Sequence, residues 1–246
     1  TDILLRLGDD SLVLSQRLGE WCGHAPILEE DIALTNIALD LIGQTQSYLS
    51  LAGNHLDKSQ TDDELAFHRD ASEFQNLLLL EQPNGHFGDT IARQFLFDVY
   101  SLLKAQHLAD QTENADIAAV AAKAIKEIRY HSDHSSKWII RLGDGTSESH
   151  NRIQQSINDL WKFTDEMFMC DDSDNAGIEI GLLPDYASLK TVWFSRIKDT
   201  LKEAGLTIPE NVVMQTGGRK GQHTEHLSIM LKEMQVLPRL HPGAIW

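Results

Sequence analysis

A glutamate and a histidine three residues apart on one helix supply two ligands to a carboxylate-bridged di-iron centre. The segment Lys126-Glu127-Ile128-Arg129-Tyr130-His131 holds that pattern with one ligand missing. His131 is present, but the residue three before it is Ile128, an aliphatic with no lone pair to offer. Glu127, four before His131, could share a helical face with it. Two HxxH pairs, His131 with His134 and His223 with His226, could in principle build a zinc site. Such a site needs both pairs to converge, and His134 falls off the apolar stripe that His131 occupies.

Two further segments carry candidate chemistry. Gly217-Gly218-Arg219-Lys220-Gly221 precedes the last helical stretch. Successive backbone amides with two cations could cradle a phosphate or carboxylate, so Arg219 and Lys220 are candidate anion or partner contacts. The GxxxxGK[ST] spacing of a P-loop is absent. Asp171-Asp172-Ser173-Asp174-Asn175-Ala176-Gly177 resembles a calcium loop only superficially. Ala176 stands at a ligand position and Leu183 where a bidentate Glu belongs, so a solvated acidic loop is expected. No Gly-x-Ser-x-Gly, catalytic-cysteine or dinucleotide signature is present.

These residues must be positioned by helices. All six prolines fall at segment borders. Between them apolar spacing predicts helices at roughly 10–22, 26–52, 62–82, 87–109, 113–142, 148–169, 187–204 and 222–237, with 171–185 and 205–221 as loops. No strand-turn-strand signal appears, and the expected architecture is an all-α bundle with more than four helices.

At about 100° per residue, Leu34, Ile37, Ala38, Leu41, Thr45, Tyr48 and Ala52 form one stripe with Gln44 inside it. In the fourth helix Ile91, Phe95, Leu102 and Ala105 surround Asp98. In the fifth, Ile117, Ala121, Ala124, Ile125, Ile128, Ile139 and Leu142 align, and His131 falls among them with Glu127 at the edge. Asp98 and His131 are therefore expected to be a buried acid and a buried histidine, paired with each other or with neighbouring polar groups, because an unpaired buried charge is costly.

The 246 residues suffice for one large domain spanning 1–246. A net charge of −16, from 21 Lys and Arg against 37 Asp and Glu, argues against nucleic-acid or anionic-membrane partners. The apolar run Leu77–Leu80 stops at Glu81, far short of a membrane span. Cys22 and Cys170 are isolated, which suits a reducing cytoplasm, and a disulfide between them is open but has no support in the sequence.

Several blocks together resemble a known family. They are the stretch from Leu12 to Pro26 (including Gly19-Glu20-Trp21-Cys22-Gly23-His24), the run from Asn76 to Gly85, Ala124-Ile125-Lys126-Glu127 with Tyr130-His131, and Thr216–Gly221 with His223-Thr224-Glu225-His226-Leu227. The chain resembles the structural, C-type subunits of bacterial phenylacetyl-CoA epoxidase, also called ring 1,2-phenylacetyl-CoA monooxygenase, over nearly its whole length.

That resemblance implies a ferritin-like helical bundle and a place in aerobic phenylacetate degradation. It implies partners: a homologous catalytic subunit with a di-iron centre, a small additional subunit, and an NADPH-dependent reductase carrying flavin and iron–sulfur. The assembled enzyme would add one oxygen atom of O2 across the aromatic ring. The catalytic subunit's ligand pattern, laid on this chain with Gly43 as the shared anchor, falls at Ser11, at Leu41 and Gln44, at Asp98, and at Ile128 and His131. Only Asp98 and His131 remain competent, so the resemblance implies a subunit without catalytic residues, metal or cofactor of its own. Two rival expectations are a metal-dependent oxygenase using Glu127, His131 and His134, and a CoA-binding protein using Arg219 and Lys220.

Overall fold

Helix α1 runs from Asp2 to Gly19 and α2 from Leu28 to Asn54 in a computed structural model that describes every residue except Asp57, Gly243, Ile245 and Trp246. The first helix begins well before the expected residue 10, and Gly8, Asp9 and Asp10 lie buried within it. Thr1 Oγ1 donates to the His55 carbonyl, and a Cβ at Gly8 would fall on the Leu49 side chain. The glycine thus lets the two antiparallel helices approach closely.

The remaining helices are α3 (Asp62–Phe67), α4 (Phe87–Asp110), α5 (Ala115–Gly143), α6 (Ser147–Leu160), α7 (Asp172–Glu179), α8 (Tyr186–Glu203), α9 (Glu225–Met234) and α10 (Val236–Leu240). No strand occurs among the described residues. The chain forms two units, one of 1–83 with 216–246 and one of 84–215.

The first unit contains the largest departure from expectation. The helix expected over 62–82 ends at Phe67, a 3-10 turn follows at Ala71–Glu73, and the chain then runs as an irregular strap. Residues 76–82 of that strap are all buried. Loops rarely go inside, because their backbone polar groups need partners there. Here side chains supply them. Asp9 Oδ2 accepts from the Gln75 amide at 2.8 Å, and Asp10 Oδ1 accepts from the Leu77 amide at 2.9 Å. Arg219 donates to the Gln75 carbonyl at 2.6 Å. Arg17 donates to the Glu81 carbonyl at 2.7 Å. The apolar leucines carry helical spacing, but the hydrogen bonds that decide the backbone come from elsewhere in the chain.

The second unit is built round α4, in which every residue from Thr90 to Tyr100 is buried. Its start is fixed by a capping box between His86 and Asp89. Helix α5 packs antiparallel to it, with α6 and α8 alongside. Trp193 on α8 donates from Nε1 to the Leu96 carbonyl at 2.9 Å and sits between the rings of Trp161 and Phe168. Helix α6 stops at Leu160 and gives way to 3-10 turns at Trp161–Phe163 and Asp165–Phe168, earlier than the expected 169. The expected loop 171–185 contains α7, opened by a capping box between Asp171 and Asp174.

Candidate functional site

In the second unit, α4 contributes Asp98 and α5 contributes Ile128 and His131. Asp98 is 3% exposed and His131 1%, as the periodicity of both helices predicts. Ser135, one turn beyond His131, donates its hydroxyl to Asp98 Oδ2 at 2.8 Å and to the His131 carbonyl at 3.0 Å. The sequence reading missed Ser135, although its i+4 spacing from His131 places it on the same face. Burial pushes the Asp98 carboxyl up to about 7, opposed by the nearby charge of His131, the Ser135 hydrogen bond and the charge of Arg93. The carboxyl is therefore easily held neutral.

Ile128, three residues before His131, packs into a cluster with Leu102, Ala105 and Ala124, with Ile125 at its edge. Hydrocarbon surrounds the position where the resemblance lays a second α5 ligand. Glu127 and His134 are both half-buried, and the His134 ring lies 6.0 Å from that of Tyr130, which is half exposed.

In the first unit the positions onto which the resemblance lays ligands are also buried: Ser11 and Gln44 each at 6% exposure and Leu41 at 3%. The Ser11 hydroxyl donates to the Leu7 carbonyl at 3.0 Å, one helical turn back. Leu41 lies on the apolar stripe of α2, and its carbonyl accepts from the Thr45 hydroxyl at 2.9 Å. Among the described residues, no three His, Cys, Asp or Glu side chains converge as a metal-binding group.

The other candidate motifs are absorbed into the fold. His223 is not one half of a zinc pair: its Nδ1 lies 2.7 Å from Glu81 Oε2 and its Nε2 lies 2.9 Å from the Phe74 carbonyl. Glu81 Oε1 also accepts from the Thr224 amide at 2.6 Å, so this carboxylate helps to start α9. Arg219 meets an anion of its own chain, with Nη1 at 3.0 Å and Nη2 at 2.8 Å from the two oxygens of Asp10. That bidentate pair corrects the expectation of an open cationic loop, and only Lys220 of the two cations is fully exposed. Asp171 and Asp174 cap α7 and bond each other's backbone amides rather than converging on an ion.

The family model described as phenylacetic acid catabolic protein matches residues 1–246. The chain is 50% identical over 246 residues to the C-type subunit of 1,2-phenylacetyl-CoA epoxidase from Escherichia coli (strain K12), covering all of this chain and 98% of that one. The family has a ferritin-like helical fold, and the all-helical architecture of the described residues agrees with it. The chain belongs to the phenylacetic acid catabolic protein family.

Proposed function

We propose that this chain is a non-catalytic structural subunit of a phenylacetyl-CoA epoxidase, pairing with a homologous di-iron catalytic subunit and stabilising its fold. The observation that carries the reading is the seat of Ile128. A di-iron centre needs several anionic oxygens to balance the charge of two metal ions and bridge them. At this position α5 offers Ile128 among Leu102, Ala105 and Ala124. Leu41 is equally unable to ligate, and Ser11 turns its hydroxyl to its own helix. The residues therefore do not fit a carboxylate-bridged di-iron centre. The metal belongs to the partner, and flavin and iron–sulfur to the reductase.

Helix α2 supports the pairing. Besides its buried stripe it has a second apolar one, formed by Leu28 (72% exposed), Ile32 (54%), Leu39 (58%) and Ile42 (45%). These positions align at about 100° per residue. Thr35 and Gln46 fall between them, so the stripe itself carries no charge in a chain of net charge −16, with Asp31 and Gly43 at its two borders. A helix apolar on two sides packs on two sides. The relative's name describes one subunit of an enzyme, and the occupant assigned to this face is the helical surface of the catalytic subunit.

No helix among the described residues is long and apolar enough to cross a membrane. Cys22 and Cys170 are exposed free thiols, which fits residence in a reducing cytoplasm.

The test is to purify the chain alone and together with its catalytic paralogue. The expected result is no stoichiometric iron in the isolated chain, a stable complex, and oxygenation of phenylacetyl-CoA only when the paralogue is present. Near-stoichiometric iron bound by this chain, or activity without the paralogue, overturns the proposal.

A further inference from the structure

Gln94 lies on α4 one turn before Asp98 and is 1% exposed. Among the described residues neither its Oε1 nor its Nε2 has a hydrogen-bond partner. A wholly buried amide with both ends unpaired is rare in native proteins and calls for an explanation. Residues four apart share a helical face, which puts Gln94 on the face of α4 that carries Asp98, and Asp98 takes its own hydrogen bond from Ser135 on α5. This face of α4 thus offers an amide acceptor, amide donors and a carboxyl in succession.

We propose that the interior of the second unit is hydrated at Gln94, with ordered water bridging the amide to the Asp98–Ser135 pair. The ligand must be small, uncharged, and able to donate and accept at once. A carbonyl compound only accepts, and an anion would be repelled by Asp98 in its charged form. A metal cation would leave the amide donors unmet. Water meets all the requirements, and buried water characteristically makes about three hydrogen bonds to otherwise unsatisfied groups. The site is separate from the Ile128 cluster, which stays dry because its lining is hydrocarbon.

The experiment is a high-resolution crystal structure of the full chain, with thermal unfolding of Gln94→Leu. The expected structure has solvent density at roughly 2.7–3.2 Å from both amide atoms. The variant is expected to lose that density and melt roughly 2–4 °C lower, because it deprives the bridged groups of a partner. A Gln94 amide bonded directly to a protein group overturns the proposal, as does Gln94→Leu melting at or above the parent temperature. If Gln94→Leu fails to fold, Gln94→Met keeps the length of the side chain. Its crystal structure and melting temperature are then judged by the same two criteria.

Discussion

Replacing Asp98 with Asn should change how stability depends on pH. The Asp98 carboxyl is raised from an ordinary value of 3.8 to about 7, chiefly by burial. Between those values the folded protein keeps a proton that the unfolded chain gives up. Stability therefore falls as pH rises through this window, is unaffected by Asp98 below 3.8, and levels off above about 7. At 1.36 kcal/mol per pH unit the whole window corresponds to roughly 4 kcal/mol, and the part between pH 5 and 7 to about 3 kcal/mol. Asn keeps the side-chain shape and an oxygen to accept the Ser135 hydrogen bond, but it does not titrate. Urea denaturation of both proteins at pH 5, 6, 7 and 8 gives the measurement. Relative to its parent, Asp98→Asn should gain about 3 kcal/mol between pH 5 and 8, equivalent to a relative shift of roughly 6–12 °C in melting temperature. A difference between the two proteins that stays constant across this range would refute the account of a buried carboxyl kept close to neutrality.

Three other outcomes are expected. Arg219→Ala should destabilise by about 3–5 kcal/mol in chemical denaturation, because it strands the buried Asp10 carboxylate, and Arg219→Lys should restore little of that because it loses the fork. Leu39→Glu should leave the isolated chain's melting temperature within about 1–2 °C of the parent while weakening co-purification with the catalytic subunit; unchanged co-purification would remove α2 from the interface. Ile128→Glu should lower the melting temperature by placing a carboxylate among Leu102, Ala105 and Ala124, and metal analysis should find no iron retained, since one added ligand does not supply the several missing oxygens.

The helical architecture could be read from the sequence wherever apolar residues recur at helical spacing. The stripes expected on α2 and α4 are buried as predicted, although α4 is buried on its other faces as well, and so are Asp98 and His131. Ser135 escaped because its role depends on a cross-helix hydrogen bond rather than on hydropathy. The expected helix at 62–82 failed for a related reason. Leu77–Leu80 are compatible with a helix, but Asp9, Asp10, Arg17 and Arg219 hold the strap in another conformation. The same network explains why Arg219 looked like an open anion site: its partner, Asp10, lies 209 positions away in the sequence. Glu81 and His223 likewise form a buried pair that no local spacing announces.

The buried strap also bears on the order in which the chain can mature as it is made. Its partners come from both ends: Asp9, Asp10 and Arg17 from the first helix, Arg219 and His223 from the last segment. A ribosome that has released residues up to Pro83 has supplied only one set. Roughly 140 more residues must follow, which at about 5–20 residues per second takes roughly 7–30 s. During that interval Asp10 lacks Arg219 and Glu81 lacks His223, while 84–215, contiguous in sequence, is free to fold as it emerges. The first unit is therefore begun before 84–215 and completed after it, and the pair α1 and α2 waits exposed on the strap's side until the last segment arrives.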